Sequence, residues 1–148
     1  MNTLKSLAGP MRVPFLILTP ACVAIGIGTA YWQTHEIHWL NILLVLIGAL
    51  SAHISVNSFN EYLDFKSGLD ARTERTPFSG GSGTLPAHPE MERASFLLAW
   101  TTFAITAAIG IYFVWLQGWQ LLPIGILGLF LLVTYTTWWV YQPILCLK

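Results

Sequence analysis

The sequence predicts an all-α membrane protein built from about four transmembrane helices. Of its 148 residues, 55% are hydrophobic and 9% are charged, whereas soluble domains carry roughly 25% charged residues. Apolar runs long enough to cross a hydrocarbon core of roughly 30 Å recur along the chain. The chain has no net charge and no basic stripe, which argues against a nucleic-acid partner. We therefore treat it as a single domain in a lipid bilayer.

The predicted spans cover residues 13–32, 40–59, 94–115 and 121–141, and residues 60–93 form a hydrophilic loop. Pro20 lies inside the first span and predicts a kink or a freed backbone carbonyl group there. The basic start followed by an apolar run also resembles a secretory signal, but the run is longer than the apolar core of a signal, and further spans follow. The loop is too long for a simple helix connection, and loops of this length are typically functional or disordered.

The distribution of charge predicts the orientation. With four spans, both chain ends and the long loop share one side, and all seven Lys and Arg residues lie on that side. The positive-inside rule then places the termini and the loop in the cytoplasm of a multi-pass protein of the cell (inner) membrane. Four tryptophans mark the opposite interface as an aromatic belt: Trp32, Trp39, Trp115 and Trp119.

A polar stripe leads from the second span into the loop. His53, Asn57, Asn60 and Asp64 follow one another at steps of four, three and four residues, which places them along one side of an α-helix. Ten of the fourteen Asp, Glu, Lys and Arg residues lie between Asn60 and Arg93. The second helix therefore ends in the region that holds most of the ionisable groups.

Asn60, Asp64 and Asp70 are the predicted metal ligands, and Asp64 and Asp70 the predicted catalytic carboxylates. On a continuous helix Asp70 would point roughly 120° away from Asp64, so the helix must end between them. Ser67 and Gly68 provide a suitable end, because glycine readily takes the left-handed capping conformation. Hard oxygen ligands of this kind suit Mg²⁺, which is usually held by one or two carboxylates together with substrate phosphates.

The remaining polar residues of the loop suit a diphosphate. Lys66, Arg72 and Arg75 would neutralise phosphate charge, and arginine can bind phosphate oxygens in a bidentate manner. Gly80, Gly81 and Ser82 lie in a glycine-rich turn whose backbone amides could bind an anion. The turn is not a nucleoside triphosphate motif, because no Gly-Lys-Ser or Gly-Lys-Thr follows it.

The run Asn60-Glu61-Tyr62-Leu63-Asp64-Phe65-Lys66-Ser67-Gly68-Leu69-Asp70, followed by Arg72, Arg75 and the segment from Phe78 to Gly83, resembles the first aspartate-rich motif of the UbiA superfamily of intramembrane prenyltransferases. It is most similar to the branch that prenylates 1,4-dihydroxy-2-naphthoate. The family motif begins Asn-Asp, and Glu61 stands in the place of that Asp.

The resemblance implies a helical bundle of nine spans in which Mg²⁺ holds a polyprenyl diphosphate between two aspartate motifs. This chain would form the first half of such a bundle, as a fragment or a shortened protein, and a second chain could supply further helices. The reaction implied is prenyl transfer to an aromatic acceptor in quinone biosynthesis of the menaquinone type. Because the second motif is not found in these 148 residues, we expect the chain alone to turn over little substrate.

A different class of function remains open. The chain could be a non-catalytic membrane module that binds a diphosphate lipid or a partner protein through the same loop. Structural roles also remain open for individual residues of the stripe. His53 could pair with a neighbouring helix, and Asn57 could join two helices through its amide. Asp64 and Asp70 could belong to a solvated loop and form ion pairs with Lys66 and Arg72. Asn57 is nevertheless included among the predicted substrate-binding residues.

Overall fold

The protein is described here by a computed structural model that covers residues 3–69 and 81–138, with side chains from residue 7 onward. The described part is helical, and four of its segments are long and apolar enough to span a membrane, which confirms the predicted fold class. The helices are α1 (Thr3–Met11), α2 (Leu18–Thr34), α3 (Trp39–Lys66), α4 (Thr84–Ala87), α5 (Glu92–Gln117) and α6 (Leu122–Thr137), and short 3₁₀ turns at Val13–Ile17, Pro89–Met91 and Trp119–Leu121 precede α2, α5 and α6.

Helix α3 is the centre of the bundle, and α1, α2, α4, α5 and α6 all pack against it. Its most extensive contact is with α5, and small polar residues carry that contact. The Ser55 hydroxyl donates to the Ala99 carbonyl oxygen at 2.9 Å, and the Thr106 hydroxyl donates to the Gly48 carbonyl oxygen at 3.3 Å. Residue numbers thus rise along α3 as they fall along α5, so the two helices are antiparallel. Small residues and interhelical hydrogen bonds are typical of helix contacts in membranes.

The outer surface of the bundle is apolar. Large hydrophobic side chains such as Ile25, Ile111 and Ile124 are about seven-tenths exposed, whereas many of the buried residues are Ser and Thr. In water such a surface would cause aggregation, but hydrocarbon chains solvate it in a bilayer. The polar groups that would be costly in lipid lie between the helices instead.

The four tryptophans predicted to form a belt lie at one end of the bundle. Trp32 and Trp39 flank the connection from α2 to α3, and Trp115 and Trp119 flank the connection from α5 to α6. The antiparallel packing of α3 on α5 brings the two connections together, and a surface cleft is lined by residues of both, including Asn41 and Gln117. All four indole side chains are exposed, as expected for residues at a membrane interface.

Helix α1 ends in a sharp turn before the first span. Arg12 takes a left-handed backbone conformation, with φ of 51°, and its N–H donates to the Gly9 carbonyl oxygen at 2.8 Å. The following 3₁₀ turn carries Pro14 in its first positions. The change from 3₁₀ to α geometry comes at Leu18, two residues before Pro20, which cannot donate a backbone hydrogen bond to the preceding turn. This irregular entry lets α1 pack on α3 and α4.

Candidate functional site

Helix α3 ends in a Schellman motif directly after the acidic residue of the polar stripe. The Leu69 N–H donates to the Asp64 carbonyl oxygen at 3.0 Å, and the Gly68 N–H donates to the Phe65 carbonyl oxygen at 3.1 Å. Gly68 has φ of 71°, the left-handed conformation that this cap requires. The predicted helix end at Ser67 and Gly68 is thereby confirmed, and the backbone of Leu69 is bound to the last turn of α3.

Asn60 and Asp64 lie four residues apart on this last part of α3, so their side chains share a face of the helix. Asp64 is buried, with 4% of its surface exposed. The side-chain oxygen Oδ1 of Asn60 is buried and has no hydrogen-bond partner among the residues that the structure describes. A buried amide oxygen without a partner is costly, and a cation would remove that cost. A cation at Oδ1 of Asn60 would therefore take the place of the missing hydrogen-bond donor.

Lys66 lies at the end of the same helix and is half exposed. Its Nζ is 2.6 Å from Oε1 of Glu92, at the start of α5, and 5.9 Å from the centre of the Tyr62 ring. Glu92 thus takes part in an ion pair that joins the end of α3 to the start of α5. The pair keeps the ammonium group of Lys66 near the end of α3.

Glu61 is the most completely enclosed charged residue described, with no exposed surface. Its Oε2 accepts the backbone N–H of Ser82 at 2.9 Å, and its Oε1 accepts the Ser82 hydroxyl group. Both donors come from the glycine-rich turn, twenty-one residues along the chain. The prediction that Gly81 and Ser82 bind phosphate stays a prediction, and in this structure the Ser82 amide is directed at Glu61 rather than at open space.

The upper residues of the polar stripe join helices. The Asn57 side-chain amide donates to the Met11 carbonyl oxygen at 3.0 Å, and Nδ1 of His53 lies 2.7 Å from the Thr19 hydroxyl oxygen. Both residues also line an open groove between α3 and α6, to which Tyr135 contributes. The interhelical role considered for each residue is therefore present, together with a position facing this groove.

Four of the predicted site residues, Asp70, Arg72, Arg75 and Gly80, lie outside the described residues. Within the described ranges, no three His, Cys, Asp or Glu side chains form a metal-binding cluster. The contribution of Asp70 to a metal site therefore stays a prediction. Sequence reasoning missed Met11 and Thr19 as partners of the stripe and Glu92 as the partner of Lys66. It also missed the role of Ser82 toward Glu61. No local sequence signal marks these partners, because each lies on another element.

Comparison with known proteins assigns the chain to a family. Residues 18–147 match the model of the UbiA prenyltransferase family. Over 120 residues the chain is 30% identical to the 1,4-dihydroxy-2-naphthoate octaprenyltransferase of Bacillus subtilis (strain 168). The aligned stretch covers 80% of this chain and 37% of that relative, so the chain spans well under half of the relative's length. No solved structure matches the chain. The family match covers most of the sequence, including the helix that carries Asn60 and Asp64, and the chain therefore belongs to the UbiA prenyltransferase family.

Proposed function

We propose that this chain forms the diphosphate-binding half of a prenyltransferase site, in which Asn60, Asp64 and Asp70 bind Mg²⁺ and the diphosphate of a polyprenyl substrate. The observation that carries the proposal is the buried Oδ1 of Asn60, which has no partner among the described residues and belongs to the same helix face as the buried Asp64. Family membership supports the proposal, since the family is one of prenyltransferases.

The donor set fits magnesium. An amide oxygen and one or two carboxylates, completed by phosphate oxygens and water, are the usual ligands of this ion in phosphate sites. The Schellman cap supports the inclusion of Asp70, because it binds Leu69, the residue before it, to the carbonyl oxygen of Asp64. When bound, Mg²⁺ would draw electron density onto the departing diphosphate.

The protein's own residues would then bind and orient the substrate. Lys66, at the end of α3, would add positive charge beside the diphosphate together with Arg72 and Arg75. A diphosphate held between fixed cations and carboxylates leaves along one direction, so catalysis would be mainly positional and electrostatic. The open groove beside His53 and Asn57 lies about two to three turns from Asp64 along α3. Its largely apolar lining suits the prenyl chain or the aromatic acceptor.

We further propose a naphthoate acceptor of the kind used in menaquinone biosynthesis, with the site facing the cytoplasm of the cell membrane. The named relative acts on 1,4-dihydroxy-2-naphthoate, which supports the acceptor. The seven Lys and Arg residues, all on the side of the loop and the termini, support the orientation by the positive-inside rule. The test is transfer of a radiolabelled prenyl group to dihydroxynaphthoate, measured with this chain alone and with a second chain that supplies further helices. Transfer indicates an enzyme, and binding without transfer indicates a binding module.

The binding site itself is tested by titration calorimetry on the chain in lipid nanodiscs. Farnesyl thiodiphosphate, which resists cleavage, should give heat in Mg²⁺ and none in EDTA. Asp64→Asn and Asn60→Leu should each weaken this binding by about tenfold or more, because a hydrogen bond or metal contact to a charged group typically contributes roughly 1.5–3 kcal/mol.

Glu36→Gln is the matched control for charge removal. Glu36 lies in the connection between α2 and α3, at the opposite end of the bundle from Asp64, so its loss should leave binding unchanged. Mg²⁺-independent heat, or equal heat from wild type and Asp64→Asn, would contradict the proposed site.

A further inference from the structure

We propose that Glu61 is a positioning residue that fastens the far end of the site loop to α3, and that it is not a magnesium ligand. This inference rests on the proposed function of the same site. Glu61 follows Asn60 directly and occupies a place that an Asp fills in the resembling motif, so a third carboxylate ligand would be the simplest expectation. Its actual contacts indicate a different use.

Both oxygens of the Glu61 carboxyl group are occupied by Ser82. Oε2 accepts the Ser82 N–H at 2.9 Å, and Oε1 accepts its hydroxyl group. The side chain has no exposed surface, so it has no face open to an ion in solvent. A buried carboxyl group requires hydrogen-bond donors, and Ser82 provides two. The extra methylene of glutamate, compared with aspartate, lengthens the reach of the side chain toward the loop.

The two ends of the loop are held on a single turn of α3. The loop leaves the helix at Leu69, whose N–H is bound to the Asp64 carbonyl oxygen at 3.0 Å. It returns at Ser82, which is bound to the side chain of Glu61. Residues 61 and 64 are neighbours on one helix face. The described residues before and after the predicted ligands Asp70, Arg72 and Arg75 are therefore both bound to the last turns of α3.

Helix α1 also packs against the turn at Ser82 that is bound to Glu61. The Thr84 N–H donates to the Ser82 hydroxyl oxygen at 3.1 Å, which fixes the turn into α4. Gly9 of α1 packs so closely on this turn that an added Cβ would lie 2.8 Å from Cβ of Thr84 and 2.9 Å from the Ser82 hydroxyl oxygen. Only glycine fits at this position without moving one of the two elements. The carboxyl group of Glu61, the turn at Ser82 and the backbone of α1 thus form one packed unit.

Closing a loop onto one helical turn lowers the entropy that the loop loses when it binds a ligand. Glu61 would therefore act on diphosphate affinity through the loop, whereas Asp64 would act on the metal ion directly. The two roles predict different responses to a conservative substitution. A glutamine at position 61 can still accept the Ser82 N–H through its oxygen and can donate to the Ser82 hydroxyl oxygen through its amide. It cannot replace a carboxylate as a metal ligand of equal charge.

The first test uses the chain in nanodiscs without ligand. The free energies of unfolding of wild type, Glu61→Ala, Ser82→Ala and the double variant form a thermodynamic cycle. We expect the double variant to be less destabilised than the sum of the two single variants, because both remove the hydrogen bond from the Ser82 hydroxyl group to Glu61. Strict additivity would overturn that contact. Ser82→Ala keeps the backbone donor, so it remains informative if Glu61→Ala fails to fold.

The second test measures the affinity for farnesyl thiodiphosphate in Mg²⁺ and the Mg²⁺ concentration needed for half-maximal binding. Glu61→Ala should weaken diphosphate binding about tenfold, and Glu61→Gln should restore it to within about threefold of wild type, because it retains two hydrogen bonds. The matched control is Glu90→Gln, at an exposed carboxylate that contacts His88. It should have no effect.

The outcomes separate the inference from the proposed function. If Glu61→Gln raises the Mg²⁺ requirement as much as Asp64→Asn, Glu61 is a ligand and the inference is wrong. If Glu61→Ala binds as tightly as wild type, Glu61 has no positioning role. If wild type gives no Mg²⁺-dependent heat, the proposed function fails together with the role of Glu61 toward the diphosphate, and the ligand-free cycle still decides whether Glu61 and Ser82 are coupled.

Discussion

The backbone N–H of Leu69 donates to the carbonyl oxygen of Asp64 at 3.0 Å. This hydrogen bond ends α3 between two of the predicted metal ligands, Asp64 and Asp70. The turn depends on Gly68, whose φ of 71° belongs to the left-handed region. A residue with a Cβ is disfavoured there by roughly 1–2 kcal/mol. The geometry of the cap and the path of the chain toward Asp70 are therefore linked.

We expect Gly68→Ala to weaken Mg²⁺-dependent binding of farnesyl thiodiphosphate several-fold, because the strained cap shifts the backbone that leads to Asp70. A Cβ at this position would meet no other atom within 4 Å, so the effect would come from backbone strain and not from a clash. Titration calorimetry measures it. Gly110→Ala is the control, since Gly110 lies in α5 with equal space around it and without a positive φ. Equal affinities for the two variants would show that the cap does not position the site.

The contact between α3 and α5 predicts a second result. A Cβ on Gly48 would lie 3.2 Å from Cγ2 of Ile109, so Gly48→Leu should force the two helices apart and destabilise the bundle by about 1–3 kcal/mol. Thermal unfolding in nanodiscs checks this. The same substitution at Gly26, where a Cβ meets nothing within 4 Å, should leave the melting temperature nearly unchanged. An equal decrease in melting temperature for both variants would argue against close packing at Gly48.

The hydrogen bond from Asn57 to the Met11 carbonyl oxygen predicts that α1 depends on α3 for its position. Asn57→Leu should raise hydrogen exchange in α1, because one of its attachments is lost. The free energy of opening of α1 should fall by about 0.6 kcal/mol, with an upper value near 1.7 kcal/mol, as measured for interhelical hydrogen bonds in membranes. Asn41→Leu, at the opposite end of α3, serves as the control. Unchanged exchange in α1 would mean that its packing on α3 and α4 suffices.

The ion pair between Lys66 and Glu92 predicts that charge at Lys66 matters for ligand binding more than for stability. Lys66 is half exposed, and ion pairs of this kind contribute little to the free energy of folding. We expect Lys66→Gln to weaken diphosphate binding several-fold, since a positive charge beside the phosphates is lost. Glu92→Gln should not weaken it, because the charge of Lys66 remains. If both variants weaken binding equally, the pair itself and not the lysine charge is required.

The sequence alone determined the features that depend on residues close together in the chain. Apolar runs of sufficient length predicted four membrane helices, which the structure confirms. Ser67 and Gly68 predicted the end of α3, and the cap is found there, because a helix end is fixed by a few consecutive backbone conformations. The pattern from Asn60 to Asp70 indicated the family, and the family match covers it.

The tertiary structure decided which distant residues the polar side chains of α3 contact. Glu61 is bound to Ser82, twenty-one residues away, and Asn57 is bound to Met11, forty-six residues away. Periodicity places a side chain on a face of a helix, but it does not say which distant element packs on that face. A side chain at position 9 is excluded only because α1 packs against the turn at Thr84. Interactions between residues close in the chain therefore determine the helices and the motif. Packing between elements far apart in the chain determines the partner of each side chain.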